Sequence, residues 1–409
     1  MKTKDLMSGI AVVIDDEFDN ERKRTADAPE DEDLICKIVD WFERAWSVPF
    51  VTQKSLPPKA LWPNLLGAAS FVLLDWRLWG VAGETLKESM IADIRDFLTS
   101  ARQNLVPVFI LTNESIEEVL TELGKLPNDV FDVEETKNFV FVEQKSQFWS
   151  GTSVDLSRLE SWVYGNSSVY ALKTWHQLLD RAKAEVFRAM CQRNVNWPRV
   201  FWKTYIADGA EPSSSLTNLI NDTLWGRMRV NAFKDDYLGD QGGDVSASEL
   251  RQLIVETSFR QNHVIPPDEV RCGDLFAGGG KYYWLNLRPD CDCIPRGADD
   301  VGDIDVYCVR GKRLGPSEER KLFNKNGYFE ERVTQSVVFG VVDEKSILFE
   351  FDKLRVCKYS EVRNQRVGRL LHPYVTRVQQ RYALYIQRQA LPRIPEEAVA
   401  VIPNPATGS

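Results

Sequence analysis

Four apolar runs in the first 150 residues each end on groups that can handle a metal ion or a phosphate. GIAVVI runs into Asp15, Asp16 and Glu17, SFVLL into Asp75, VPVFIL into Thr112 and Asn113, and NFVFVEQ into Lys145. Carboxylates brought together repel unless a cation lies between them. Magnesium takes oxygen ligands and keeps several of its waters. Phosphoryl transfer needs an in-line nucleophile and neutralisation of the charge on the transferred group. An acid set, a hydroxyl and an ammonium are the residue types for that work. Each alone has a plainer use, since an acid after a strand often caps the next helix or turns the chain. The ordered combination is what points to phosphate chemistry.

For these groups to meet, the runs must be neighbouring strands pointing the same way. Short runs rich in Val, Ile and Phe alternate here with helical pattern: a segment from Asp31 to Phe50, then LKESMIADIRDFLTSA, then SIEEVLTELGKL. That alternation predicts a parallel sheet built from βαβ units. In open sheets of this kind functional groups gather outside the carboxyl ends of the strands. The set closely resembles that of the response-regulator receiver family: an acidic pair, an acceptor aspartate, a Thr or Ser, and a Lys, each closing a successive active-site strand. Leu74-Asp75-Trp76-Arg77-Leu78, with Gly80 shortly after, also resembles the receiver acceptor loop. The resemblance covers residues 1–150 and no more.

This resemblance implies a flavodoxin-like α/β domain and a phosphoprotein of two-component signalling, with a histidine-kinase-like protein as partner. Asp75 would be the phosphoacceptor, a carboxylate nucleophile that forms an aspartyl phosphate. Asp15, Asp16 and Asp75, with the backbone carbonyl of Arg77, would hold Mg2+. Lys145 would pair with one phosphoryl oxygen, and Thr112 would hydrogen-bond another. Three features depart from the family. Ser146 follows the lysine where receivers carry proline, and LPNDVFDVEETKN intervenes before the last strand. The separations from Asp15 to Asp75, Thr112 and Lys145 in turn are 60, 37 and 33 positions, each larger than in a compact receiver. The aromatic switch position falls on either Phe139 or Phe141. A receiver that keeps its residues but serves as a docking scaffold is an alternative within the same fold.

Beyond the receiver-like stretch the pattern changes twice. Residues 151–260 read as helical, with an apolar stripe through Leu172, Trp175, Leu178, Leu179, Ala182, Val186 and Phe187 and a helix start at Ser248. Residues 261–358 read as an antiparallel β domain, a small barrel or sandwich, with Gly278-Gly279-Gly280 as a hairpin turn rather than a phosphate loop. Residues 359–390 read as helical, with Pro373 at the start of the last helix, followed by a loose proline-bearing tail to residue 409. Cys272, Cys291, Cys293 and Cys308 fall within 37 positions, and four thiolates can bind zinc. One C-x-C and two singles do not match paired zinc knuckles, so small buried hydrophobes are the favoured reading. His176, His263 and His372 are scattered and no HExxH or Ser/His/Asp pattern appears, so a hydrolase is not expected and the chain is read as a non-enzyme.

From Arg355 to Arg393 nine basic residues face a single acid, Glu361, within a chain of net charge −9. Arg377, Arg381 and Arg388 recur at helical spacing and share a face, with Val375, Val378, Tyr382, Tyr385 and Ile386 as the apolar stripe. An arginine face suits DNA or RNA phosphates, and equally suits acidic surface within the protein or on a partner; the second use is the expectation. No apolar run reaches membrane-spanning length, and the short apolar run near the start ends in acids rather than a cleavage site, so a cytoplasmic location is expected. QRYALYIQR-Q-ALPRIP and the DCDC turn faintly resemble uncharacterised bacterial proteins encoded near restriction and phage-defence systems. The chain is thus read as a bacterial signalling protein whose receiver-like domain controls a C-terminal output region, with a nucleic-acid-binding effector as the runner-up.

Overall fold

A computed structural model describes residues 3–16, 18, 34–78, 84–124, 139–228, 245–295 and 300–389, with isolated positions 233, 234, 238, 394, 395 and 398. Glu17, Gly80, the insertion 126–138 and Arg393 lie outside the described residues. The chain divides into two compact units, Met1–Gln192 with Asp222–Gly242, and Arg193–Asn221 with Gly243–Ser409. Among the described residues no helix is long and apolar enough to cross a membrane.

The first unit is built on five parallel strands: β1 (Ile10–Ile14), β2 (Phe50–Gln53), β3 (Ala69–Asp75), β4 (Val108–Thr112) and β5 (Val140–Gln144). Their order is β2-β1-β3-β4-β5, with Ile14 opposite Leu74, Asp75 opposite Leu111 and Thr112 opposite Gln144. The central strands are apolar at most positions because both sheet faces are covered. Alternate residues go to two separate cores. Ala11, Val13, Phe71, Leu73, Phe109 and Leu111 face the helices Leu34–Trp46 and Leu156–Gly165. Val12, Ile14, Val72, Leu74, Val108 and Ile110 face the helices Trp62–Ala68, Glu84–Gln103 and Ile116–Gly124. The boundary expected at residue 150 falls inside this unit, because Leu159, Val163, Val169 and Tyr170 complete the first of these cores.

The second unit contains one seven-stranded sheet, all of whose pairs are antiparallel, in the order β10-β11-β9-β8-β7-β12-β6. The strands are β6 (Phe259–Gln261), β7 (Asp274–Ala277), β8 (Tyr282–Asn286), β9 (Asp305–Arg313), β10 (Gln335–Val342), β11 (Lys345–Lys358) and β12 (Arg366–Leu370). Residues again alternate between two cores: Leu275 and Val309 join Phe349 and Val375, while Phe276 and Cys308 join Tyr359 and Val362. The glycine run is the β7–β8 hairpin turn, with Gly279 and Gly280 at φ 90° and 60°. Two expectations are corrected. Residues 366–370 form a strand rather than helix, and that strand, β12, joins the sheet between β7 and β6. The helix expected to start at Ser248 is capped at Ser246, whose hydroxyl accepts from Glu249 N while the Glu249 carboxylate accepts from Ser246 N. The last helix, Tyr374–Gln387, buries Val375 and Val378 and packs Tyr382 and Tyr385 against the same core, but Ile386 is exposed.

Candidate functional site

Strand order decides which carboxyl ends meet. Winding reverses between β1 and β3, and a crevice opens beyond the carboxyl ends of strands at such a point. Asp15 follows the last residue of β1, Asp75 is the last residue of β3, and both are buried. Asp16 is partly exposed, and ligand oxygens of Asp15, Asp16 and Asp75 all lie within 4.8 Å of one another. Lys145 follows β5, opens the short helix Lys145–Phe148 and is 3% exposed. Its ammonium lies 2.9 Å from Asp15 Oδ2 and 3.1 Å from Asp75 Oδ1. Residues 130 positions apart in sequence are thus in direct contact.

Thr112, the last residue of β4, is fully buried, and its hydroxyl accepts a hydrogen bond from Glu114 N at 3.0 Å. Gln144, opposite Thr112 at the end of β5, donates to the Glu114 carbonyl at 3.1 Å and ties the same loop to its neighbour strand. Arg77 lies two positions past Asp75 with its side chain exposed. Phe141 is buried in the core, and Phe139 packs partly buried against it. Glu143, near the end of β5, is buried and salt-bridged to Arg158 at 2.5 Å, so its charge is matched outside the acid set.

The electrostatics follow from burial. Desolvation pushes the Asp75 carboxyl up from 3.8 to about 6; Lys145 pulls it down and Asp15 pushes it further up. Burial works to lower the Lys145 ammonium, but Asp75 and Asp15 outweigh it and hold the group above the ordinary lysine value. Among the described residues, Lys145 pairs with two of the three acids, Asp15 and Asp75, both buried, while Asp16 is partly exposed. A hard divalent cation with oxygen ligands fits that donor set. Among the described residues this is the only group of three or more His, Cys, Asp or Glu side chains close enough to share an ion.

The remaining candidates do not converge in this way. Among the described residues, Cys272, Cys291, Cys293 and Cys308 supply no group of three ligand atoms within 4.8 Å of one another. Cys272, Cys293 and Cys308 are buried and Cys291 is exposed. Burial pushes the Cys272 and Cys293 thiols up to about 12, so both stay protonated, as buried apolar groups do. Arg377 and Arg381 turn to the buried carboxylate of Glu331, at 2.6 and 3.2 Å, and the Arg388 guanidinium stacks 4.3 Å over the Tyr385 ring. Within the same basic segment Arg366 and Arg369 are buried, with Arg369 Nε 2.6 Å from Asp274. No residue type announced Glu331, Asp274 or Glu269 as the acids that meet these arginines. No protein-family model, no curated protein and no solved structure matches this chain.

Proposed function

We propose that the first unit is a phosphoacceptor module of the receiver kind, with Asp75 as the acceptor, and that it signals to the second unit. The observation that carries this reading is the convergence of Asp15, Asp16, Asp75 and Lys145 at the carboxyl ends of β1, β3 and β5. An ionised Asp75 oxygen attacks the donor phosphorus, the new O–P bond forms as the bond to the leaving group breaks, and the leaving group departs with that electron pair. Asp15, Asp16 and Asp75, with the Arg77 carbonyl, are the groups to hold Mg2+. When bound, that ion neutralises charge on the acids and on the incoming phosphoryl oxygens. Lys145 now bridges two carboxylates, and on phosphorylation it turns its charge to a phosphoryl oxygen. Thr112 supplies a hydroxyl one residue beyond the position opposite Asp75. A phosphohistidine or acyl phosphate is the class of donor that such a carboxylate can accept from, and a histidine-kinase-like protein is the corresponding partner.

Beryllofluoride tests the pocket without a donor. Wild type in Mg2+ is expected to gain thermal stability on adding beryllofluoride, and Asp75→Asn to gain none. Lys145→Ala is expected to keep Mg2+ binding but lose most of the beryllofluoride response, since the lysine acts on the phosphoryl group and not on the metal. Equal responses in wild type and Asp75→Asn would leave the pocket as a docking scaffold.

A further inference from the structure

The parallel sheet of the first unit also carries a cleft at its opposite edge. A cleft of about 640 Å³ opens at the amino ends of β1, β3 and β4, lined among others by Ser70, Asn104, Leu105, Lys173, His176 and Arg181. Its volume lies in the range of small-molecule sites, roughly 300–1,000 Å³. Ser70 and Asp75 lie five positions apart along β3, about 16 Å of extended strand, so the cleft and the acid set are distinct places.

Lys173, on the helix Ser167–Arg193, lies on this cleft. Its ammonium donates to the Ser70 carbonyl, yet an ammonium carries three N–H donors. Among the described residues no carboxylate pairs with it, and burial alone pulls the group down to about 8. Asp180, an acid on the rim, is already engaged by Lys183 at 2.6 Å and by His176 at 3.1 Å, which leaves Asp5 as the other acid of the lining. Arg181 adds a second cation to the rim. Gln177 donates to the Asp5 carbonyl and Ser70 Oγ to the Ser8 carbonyl at 2.9 Å, so the polar side chains around the lysine are held in place from the turn before β1. A half-buried ammonium with donors to spare and no carboxylate paired with it among the described residues is stabilised by an anionic acceptor, and charge-assisted hydrogen bonds of this kind are the strong ones.

We propose that this cleft binds a small molecule through an anionic oxygen group, carboxylate or phosphate, that pairs with Lys173. The body of the ligand lies along Leu105 and Leu172, apolar residues of the same lining.

The test uses the full chain with inorganic phosphate and hexanoate as probes. Trace acylation of amines, read peptide by peptide by mass spectrometry, reports each lysine separately. Either probe at saturation is expected to suppress acylation of Lys173 several-fold while the exposed Lys183 and Lys59 keep their rates. Protection by phosphate alone assigns a phosphate ester, and protection by hexanoate alone assigns a carboxylate. Lys173→Met keeps the apolar stem and drops the charge, and it is expected to weaken binding of the effective probe at least about tenfold, with Lys173→Arg close to wild type. Acylation of Lys173 unchanged by both probes, measured on wild type and independent of any variant's folding, overturns the proposal. Lys173→Met binding the probe as wild type does overturns it equally. Asp75 plays no part in either readout.

Discussion

Asp75 is 6% exposed, has acids for neighbours and has one ammonium to balance it. The consequence is a stability that depends on pH in a specific sense. The carboxyl titrates at its ordinary 3.8 in the unfolded chain and at about 6 in the folded one. The folded state therefore holds this proton more tightly, so the contribution is fully present below the unfolded value and is lost as pH rises through about 6. A rise of that size corresponds to about 3 kcal/mol. Asp75→Asn has nearly the same shape and no charge to desolvate. In urea denaturation without divalent ions, the variant is expected to match wild type near about pH 4 and to exceed it by up to about 3 kcal/mol above about pH 7. Mg2+ should narrow the gap, because an ion that binds only the folded wild type stabilises it. A difference that stays flat across pH would show that the Asp75 carboxylate is not desolvated. The acid, hydroxyl and lysine positions were legible because each ends an apolar run. Lys173 was not, since a lysine on an amphipathic helix reads as part of the solvent face, and its partial burial comes from distant residues around Ser8 and Ser70.

Among elements, the strands that were easiest to read are those covered on both faces, where β1, β3 and β4 are almost uninterrupted apolar runs. The edge strand β2, Phe50–Gln53, is largely half-exposed and carries too little apolar pattern to stand out. Strand β12 was read as helix for a different reason. Its buried positions include Arg366 and Arg369, whose charges are met by Asp274 and Glu269 from another part of the chain, and a central glycine hides the rest of the pattern. That glycine has its own cause. A Cβ at Gly368 would collide with the Phe259 ring and with the Arg260 carbonyl of the neighbouring strand β6. Backbone cannot swing aside as a flexible side chain can, so Gly368→Ala is expected to destabilise the second unit by about 1–3 kcal/mol. Hydrogen exchange should rise first in β6 and β12. Protection in those strands equal to that of wild type would show that the two can separate without cost.

For the whole molecule, charge and function sort differently from what composition suggests. The basic segment from Arg355 onward invites a nucleic-acid partner, yet Arg366, Arg369, Arg377 and Arg381 are engaged by Asp274, Glu269 and Glu331. The pattern of the sequence shows where the arginines are; only long-range folding shows which acids meet them. The first unit, by contrast, gathers three carboxylates at one largely buried point, where Lys145 pairs with two of them. That convergence is the physical basis for reading the unit as a phosphoacceptor, and covalent labelling tests the reading most directly. The full chain is incubated with a small acyl phosphate in the presence and absence of Mg2+, and the product is digested and located by mass spectrometry. The account predicts one phosphoryl group, on Asp75, that requires Mg2+ and is absent from Asp75→Asn. Labelling that is independent of Mg2+, that falls on another residue, or that persists in Asp75→Asn would contradict it.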